Sequence, residues 1–183
     1  MKIYTKKGDT GKTTLAGGNK TSKDSIIVDA YGTIDELISH IGIISSFNID
    51  FYYKELCVDI QNKLMLCAAQ VATTENNDSL PNITYHDVEY LEKQIDKMEE
   101  ELEPLSNFVL FVGVIASNIN IFRTLTRRAE RLVVRILNKK MTDNQNINLV
   151  IKYLNRLSDL FFVMARHVVK KELTDSKEII WKI

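Results

Sequence analysis

The residues best suited to chemistry crowd into the start of the chain, Met1-Lys-Ile-Tyr-Thr-Lys-Lys-Gly-Asp-Thr-Gly-Lys-Thr-Thr14. Gly8 and Gly11 allow positive φ and close approach of the backbone to a ligand, while exposed N–H groups and the hydroxyls of Thr5, Thr10, Thr13 and Thr14 suit phosphate oxygens. Lys6, Lys7 and Lys12 supply compensating charge, so the segment reads as a triphosphate cradle. Gly11-Lys12-Thr13 has the ending of a P-loop, but that motif needs glycine where Lys6 stands, and it follows a buried strand and opens a helix. Only Ile3 and Tyr4 precede it here. A loose basic tail is the plain alternative.

A second set of polar groups lies far along the chain. Arg123, Arg127 and Arg131 recur every four residues, which aligns three guanidiniums on one face of a helix. Like charges at this spacing repel unless something neutralises them: an external anion, for which the guanidinium fork is well shaped, or Glu130 and neighbouring carboxylates on a solvated face. Asn155 and Asp159 share a face among Leu157, Leu160, Phe161 and Phe162. Buried polar groups need hydrogen-bond partners, and the arginine row of the neighbouring helix is the simplest source. Asp35 and Glu36 are carboxylates suited to a salt bridge with an arginine of the fourth helix. His40, His86 and His167 are read as structural. No Ser-His-Asp set, nucleophile elbow or carboxylate pair for glycoside chemistry is present.

These groups must be positioned by helices. Of seven Gly and two Pro in 183 residues, four Gly fall within the first eighteen positions, so helix breakers are nearly absent elsewhere. Apolar spacing predicts helices over Ile26 to Ile44, about Tyr53 to Thr74, Tyr85 to Glu101, a segment within Asn107 to Asn138, and about Asn148 to Glu172. Thr84, with Asp87 three residues on, reads as the N-cap of the third. The expected class is all-α, a five-helix bundle in one domain: a loop over 1–24, the bundle over 25–172 and a tail over 173–183.

A hydrophobic content of 45% lets the chain build a core without staples. A formal net charge of zero argues against a nucleic-acid or membrane-surface binder. Cys57 and Cys67 sit in apolar helical patterns, as reduced core thiols of a cytoplasmic protein would. The start lacks an apolar signal core, and the run from Phe108 to Ala116 is far short of a membrane span.

Four segments in this order, TKKGDTGKTT, KDSIIVDAYGTIDEL from Lys23 to Leu37, RTLTRRAER and NRLSDLFFVMAR, resemble the PduO-type ATP:cob(I)alamin adenosyltransferases over nearly the whole chain, and Glu178-Ile-Ile-Trp181 is similar to the family's end. The resemblance implies a trimer with active sites between subunits, where the loop of one and the arginine helix of another hold ATP. Nucleotide contacts would fall on Thr5, Lys6, Gly8, Asp9, Gly11, Thr13, Thr14 and Lys23, joined across the interface by Arg127, Arg128, Glu130, Arg131 and Asn155, with Mg²⁺ accompanying the triphosphate. Asp35 and Arg123 would pair to shape the corrinoid side, and Phe108 would displace the lower axial ligand of cobalt. Cob(I)alamin would then attack the ribose 5′-carbon of ATP; a corrinoid reductase is an implied partner.

One stretch departs from the family pattern, on the corrinoid side. Phe111-Val112-Gly113 stands where Pro-Gly-Gly is usual, and Asn120 replaces the usual His. That departure motivates an alternative, an ATP- or corrinoid-binding sensor or carrier without transfer activity; a helical interaction module with a basic tail is a third reading. The resemblance also implies that the N-terminal segment, with little to pack against on its own subunit, becomes ordered only when ATP arrives.

Overall fold

The computed structural model describes residues 3–4, 6, 8–75, 81–171 and 175–181. Thr5 and Lys7 lie outside the described residues, as does Glu172 at the expected end of the fifth helix. Among the described residues the elements are strands β1 (Lys12–Thr14) and β2 (Lys20–Ser22), helices α1 (Ile26–Ile41), α2 (Phe51–Val71) and α3 (Tyr85–Glu99), strand β3 (Val109–Val112), helices α4 (Val114–Asn138) and α5 (Ile147–Lys171), and strand β4 (Lys177–Ile180). α1 packs between α2 and α4, and α5 between α4 and α3. The five expected helices are present.

Local chemistry sets the helix ends. Ser25 caps α1, its hydroxyl accepting the N–H of Val28, and Asp50 caps α2 by accepting from Tyr52 at 2.7 Å. Thr84 and Asp87 form a reciprocal capping box on α3, as their spacing predicts. The first helix stops three residues short of Ile44, because the chain tightens into a 3₁₀ turn over Gly42–Ser46. The second begins at Phe51, two residues before the expected start, because Asp50 supplies the cap.

The core forms where helical stripes meet. α5 supplies Leu154, Leu157, Phe161, Met164, Ala165 and Val168, all fully sealed, and Phe122 of α4 meets Phe161 edge to face at 5.5 Å. Cys57 and Cys67 are free and buried, and burial pushes the Cys57 thiol up to about 12, consistent with packing groups.

Two antiparallel ribbons were not foreseen. β1 pairs with β2 in the register Thr13 opposite Thr21, and β3 pairs with β4 with Phe111 opposite Glu178. At three or four residues a strand is too short to leave a readable alternation. The first ribbon corrects the expectation that the N-terminal segment has little to pack against on its own chain. Leu15, 6% exposed, enters the core, Ala16 donates its N–H to Ala72 O at 3.1 Å, and Asn19 Nδ2 donates to Thr74 Oγ1.

Candidate active site

Around Gly8 the N-terminal loop closes on itself. Lys23 N–H donates to Gly11 O at 2.9 Å, and the Lys23 ammonium lies 3.0 Å from where a Cβ on Gly8 would stand. Gly11 has φ +75°, open to glycine, and Lys6 also sits at positive φ. Gly11-Lys12-Thr13 leads into β1 instead of a helix, so the P-loop context is absent. Lys6, Gly8, Asp9, Gly11, Thr13, Thr14 and Lys23 are thus gathered on one turn-and-ribbon unit at the C-terminal end of α2.

The arginines lie elsewhere. Arg127, Arg128, Arg131 and Arg135 line an open cavity of about 760 Å³, together with Asp29, Glu36, Glu130 and Asn155. No described residue of the N-terminal loop lines it. Arg128, one residue off the four-residue row, is paired with Glu36 of α1, the expected bridge from the first helix to an arginine of the fourth. Glu130 accepts a hydrogen bond from Asn155 Nδ2 at 3.0 Å, so that carboxylate is already engaged. Arg127 and Arg131 have no hydrogen-bond or ion-pair partner among the described residues. A helix face with two such guanidiniums in a cavity of ligand size is suited to an external anion.

Arg127 also borders a second cavity of about 570 Å³, lined by Arg123 and Arg156 against Glu92, Asp96, Glu99 and Asp159, with Ile95, Phe162 and Val163 as its apolar part. Arg123 is half-buried; desolvation and the neighbouring Arg127 charge lower its pKa, so a negative group brought here would be favoured. Its Nε donates to Asn120 Oδ1 at 2.8 Å, so the residue at the unusual position holds the arginine. Phe162 leads from this cavity to Phe111 of β3, edge to face at 5.8 Å. Beyond it Phe108, 76% exposed, leans edge-on against Trp181.

The expected burial and partners of Asn155 and Asp159 need correction. Asn155 and Asp159 share a face as their spacing requires, but they are exposed and not buried, because α5 turns Leu154, Leu157 and Phe161 to the core and leaves them at the rim. Asn155 bonds Glu130 and not an arginine of α4, and Asp159 accepts from Arg156 of its own helix at 3.1 Å. Asp35 does not pair with Arg123 within the chain: its side chain is exposed and has no partner among the described residues. Arg135 was missed, although it is the next four-residue step after Arg131. The link from Asn120 to Arg123, three residues apart, was also open to the eye.

The geometry can be set beside known proteins. A family model described as cobalamin adenosyltransferase matches residues 3–168. The chain belongs to the cobalamin adenosyltransferase family. It is 42% identical to a corrinoid adenosyltransferase of Bacillus subtilis (strain 168), covering 92% of this chain and 86% of that protein. It is 35% identical to a corrinoid adenosyltransferase of Citrobacter freundii, covering 90% and 93%. Among solved structures, it superposes with a TM-score of 0.84 and 31% identity, over 100% of both chains, on a PduO-type ATP:corrinoid adenosyltransferase from Lactobacillus reuteri, a phenylalanine-to-alanine variant complexed with cobalamin and ATP.

Proposed function

We propose that this protein transfers the 5′-deoxyadenosyl group of ATP to cob(I)alamin, forming adenosylcobalamin and releasing triphosphate, at sites completed between the subunits of a homotrimer. The observation that carries the reading is the separation of two phosphate-suited surfaces on one chain. The loop around Gly8 and Lys23 and the unpartnered Arg127 and Arg131 do not share a cavity, and a second copy docked head to tail would bring them together. Asp35 and Arg123, unpaired with each other within the chain, are likewise available to a neighbouring subunit.

In this reading the arginine cavity takes the triphosphate and the cavity beyond Arg127 opens toward the corrinoid. Cobalt attacks the ribose 5′-carbon, a Co–C bond forms, the C–O bond to the triphosphate breaks, and the triphosphate leaves with the bonding pair. The cobalt substrate is the nucleophile, so no general base is needed, in keeping with histidines that lie outside both cavities. The protein positions the reactants and neutralises the leaving triphosphate through Lys23 and the arginines. Phe108 offers an apolar ring to the lower face of the corrinoid; loss of the lower ligand makes Co(II) reducible by an electron from an external reductase.

Among the described residues no cluster of three or more His, Cys, Asp or Glu side chains is arranged for a metal ion. Mg²⁺ would be carried on phosphate oxygens with one or two protein carboxylates at most, and Asp9 on the loop is the carboxylate nearest in sequence to Gly8 and Gly11. No helix among the described residues is long and apolar enough to cross a membrane. A cytoplasmic setting keeps the two thiols reduced.

The test is to mix protein, ATP, Mg²⁺ and chemically reduced cobalamin and follow the corrinoid spectrum as the Co–C bond forms. An unchanged spectrum with ATP binding intact would replace this reading with the sensor or carrier.

A further inference from the structure

The ribbon that carries Phe108 is only four residues long on each strand, and a two-stranded ribbon alone is marginal in water. The C-terminal segment ties it to the bundle at two levels and closes the ribbon's own end at a third. Ser176 Oγ accepts the Ala116 N–H at 3.2 Å, capping α4 where Gly113 has no side chain to do so. Trp181 N–H donates to Phe108 O at 2.8 Å. Between them Arg166 of α5 donates from Nε to Glu178 Oε1 at 2.8 Å and from Nη2 to the Glu103 carbonyl at 3.0 Å.

This pair differs from the surface ion pairs of the molecule. Its side chains are 9% and 18% exposed, whereas the Arg156–Glu92 pair is 37% and 43% exposed. Surface pairs contribute little, but a buried guanidinium losing its carboxylate is left uncompensated, so the geometry is strongly enforced. Glu178 stands opposite Phe111 in the ladder, and Glu103 lies on the chain entering β3. One guanidinium therefore fixes both the approach to β3 and the strand that pairs with it.

We propose that Arg166 and Glu178 are positioning residues for Phe108, a buried clamp that sets the height and register of its ribbon over α5. The proposal rests on the reading that Phe108 acts on the corrinoid. A one-residue slip of the ladder would turn alternate side chains to the opposite face, and displacement of about 1 Å at a reacting centre suffices to cost on the order of 10²-fold in rate.

The test compares Glu178→Ala with the shape-conserving Glu178→Gln in the full-length protein. Calorimetry reads ATP affinity, electron paramagnetic resonance reads loss of the lower ligand from cob(II)alamin in the presence of ATP, and transfer is timed from cob(I)alamin and from cob(II)alamin with a chemical reductant. For Glu178→Ala we expect ATP affinity and the cob(I)alamin rate within about twofold of wild type, while the ligand-free Co(II) signal and the cob(II)alamin rate fall by up to about 10²-fold. Glu178→Gln, which retains an acceptor, should recover most of the loss. If Glu178→Ala does not fold, Arg166→Lys, keeping the charge but not the planar fork that reaches both oxygens, carries the same comparison. Folded variants in which both rates fall equally, or neither falls, overturn the clamp alone. Wild-type protein that forms no adenosylcobalamin overturns the functional reading and the clamp with it.

Discussion

At Arg127 the two cavities meet, and that single residue lines both. Its guanidinium has no partner to lose among the described residues, so on the proposed reading Arg127→Ala removes an interaction with the ligand and not a structural bond. A charge-assisted hydrogen bond of about 1.5–3 kcal/mol corresponds to roughly ten- to a hundredfold in Kd. ATP titration calorimetry should therefore show weakening of that order, whereas Phe108→Ala should bind ATP as wild type does and slow reduction of cob(II)alamin. Equal effects of the two substitutions on ATP would contradict this division of the site. Gly113 is a residue of a different kind. It sits at φ +98°, and a Cβ there would lie 2.5 Å from Ser176 Cα, a backbone atom that cannot swing aside. Gly113→Ala should lose at least about 2 kcal/mol in urea unfolding. The Phe111-Val112-Gly113 segment is thus accommodated by close packing on the C-terminal segment.

One of the two phosphate-suited sets rides on short elements that the long helices hold, and the other lies on α4 itself. The β1–β2 ribbon is anchored by Leu15, and burying one leucine contributes about 2 kcal/mol, so if docking of the ribbon limits binding, Leu15→Ala should weaken ATP by up to roughly 30-fold. Far-UV circular dichroism should stay unchanged, because the helices do not depend on it; loss of helical signal in parallel would show that Leu15 supports the bundle instead. At the other end, α2, the turn after α3 and α5 meet at His167, whose Nδ1 is 2.7 Å from the Tyr53 hydroxyl and whose Nε2 is 3.6 Å from Glu101. Burial lowers its pKa, against the pull of Glu101 and with the push of Lys171 and Lys97. In the window below the ordinary histidine value the unfolded chain takes up a proton that the native state resists, so stability falls as pH falls. Thermal melts at pH 7.5 and about pH 5.5 should show a larger loss for wild type than for His167→Gln.

The whole molecule in this reading is a ring of identical copies with one loop and one arginine row meeting at each interface. A heterologous contact of this kind predicts complementation. Lys23→Ala damages only the loop half and Arg127→Ala only the row half, so equal mixing in co-expressed trimers restores about a quarter of the sites. Activity of the mixture near that fraction, from two nearly inactive parents, is the expected outcome. Activity no greater than the average of the parents would assign loop and row to the same subunit.

Much of this was legible in the chain. The five helices followed from apolar spacing and from the scarcity of glycine and proline, since both act locally and repeat over many residues. The Thr84 cap and the arginine row followed because three- and four-residue spacings fix which groups share a helix face. The ribbons did not, because three residues are too few to leave a period. Nor did the surroundings of Asn155 and Asp159: spacing put them on one face, and only the packing of α5 on α4 and α3 decided that this face is the rim and not the core. Register and burial also decided that Arg166 reaches Glu178, twelve residues on, and the carbonyl of Glu103, sixty-three residues back. Such contacts depend on where whole elements dock, which the free energy of the packed bundle sets and no local spacing records.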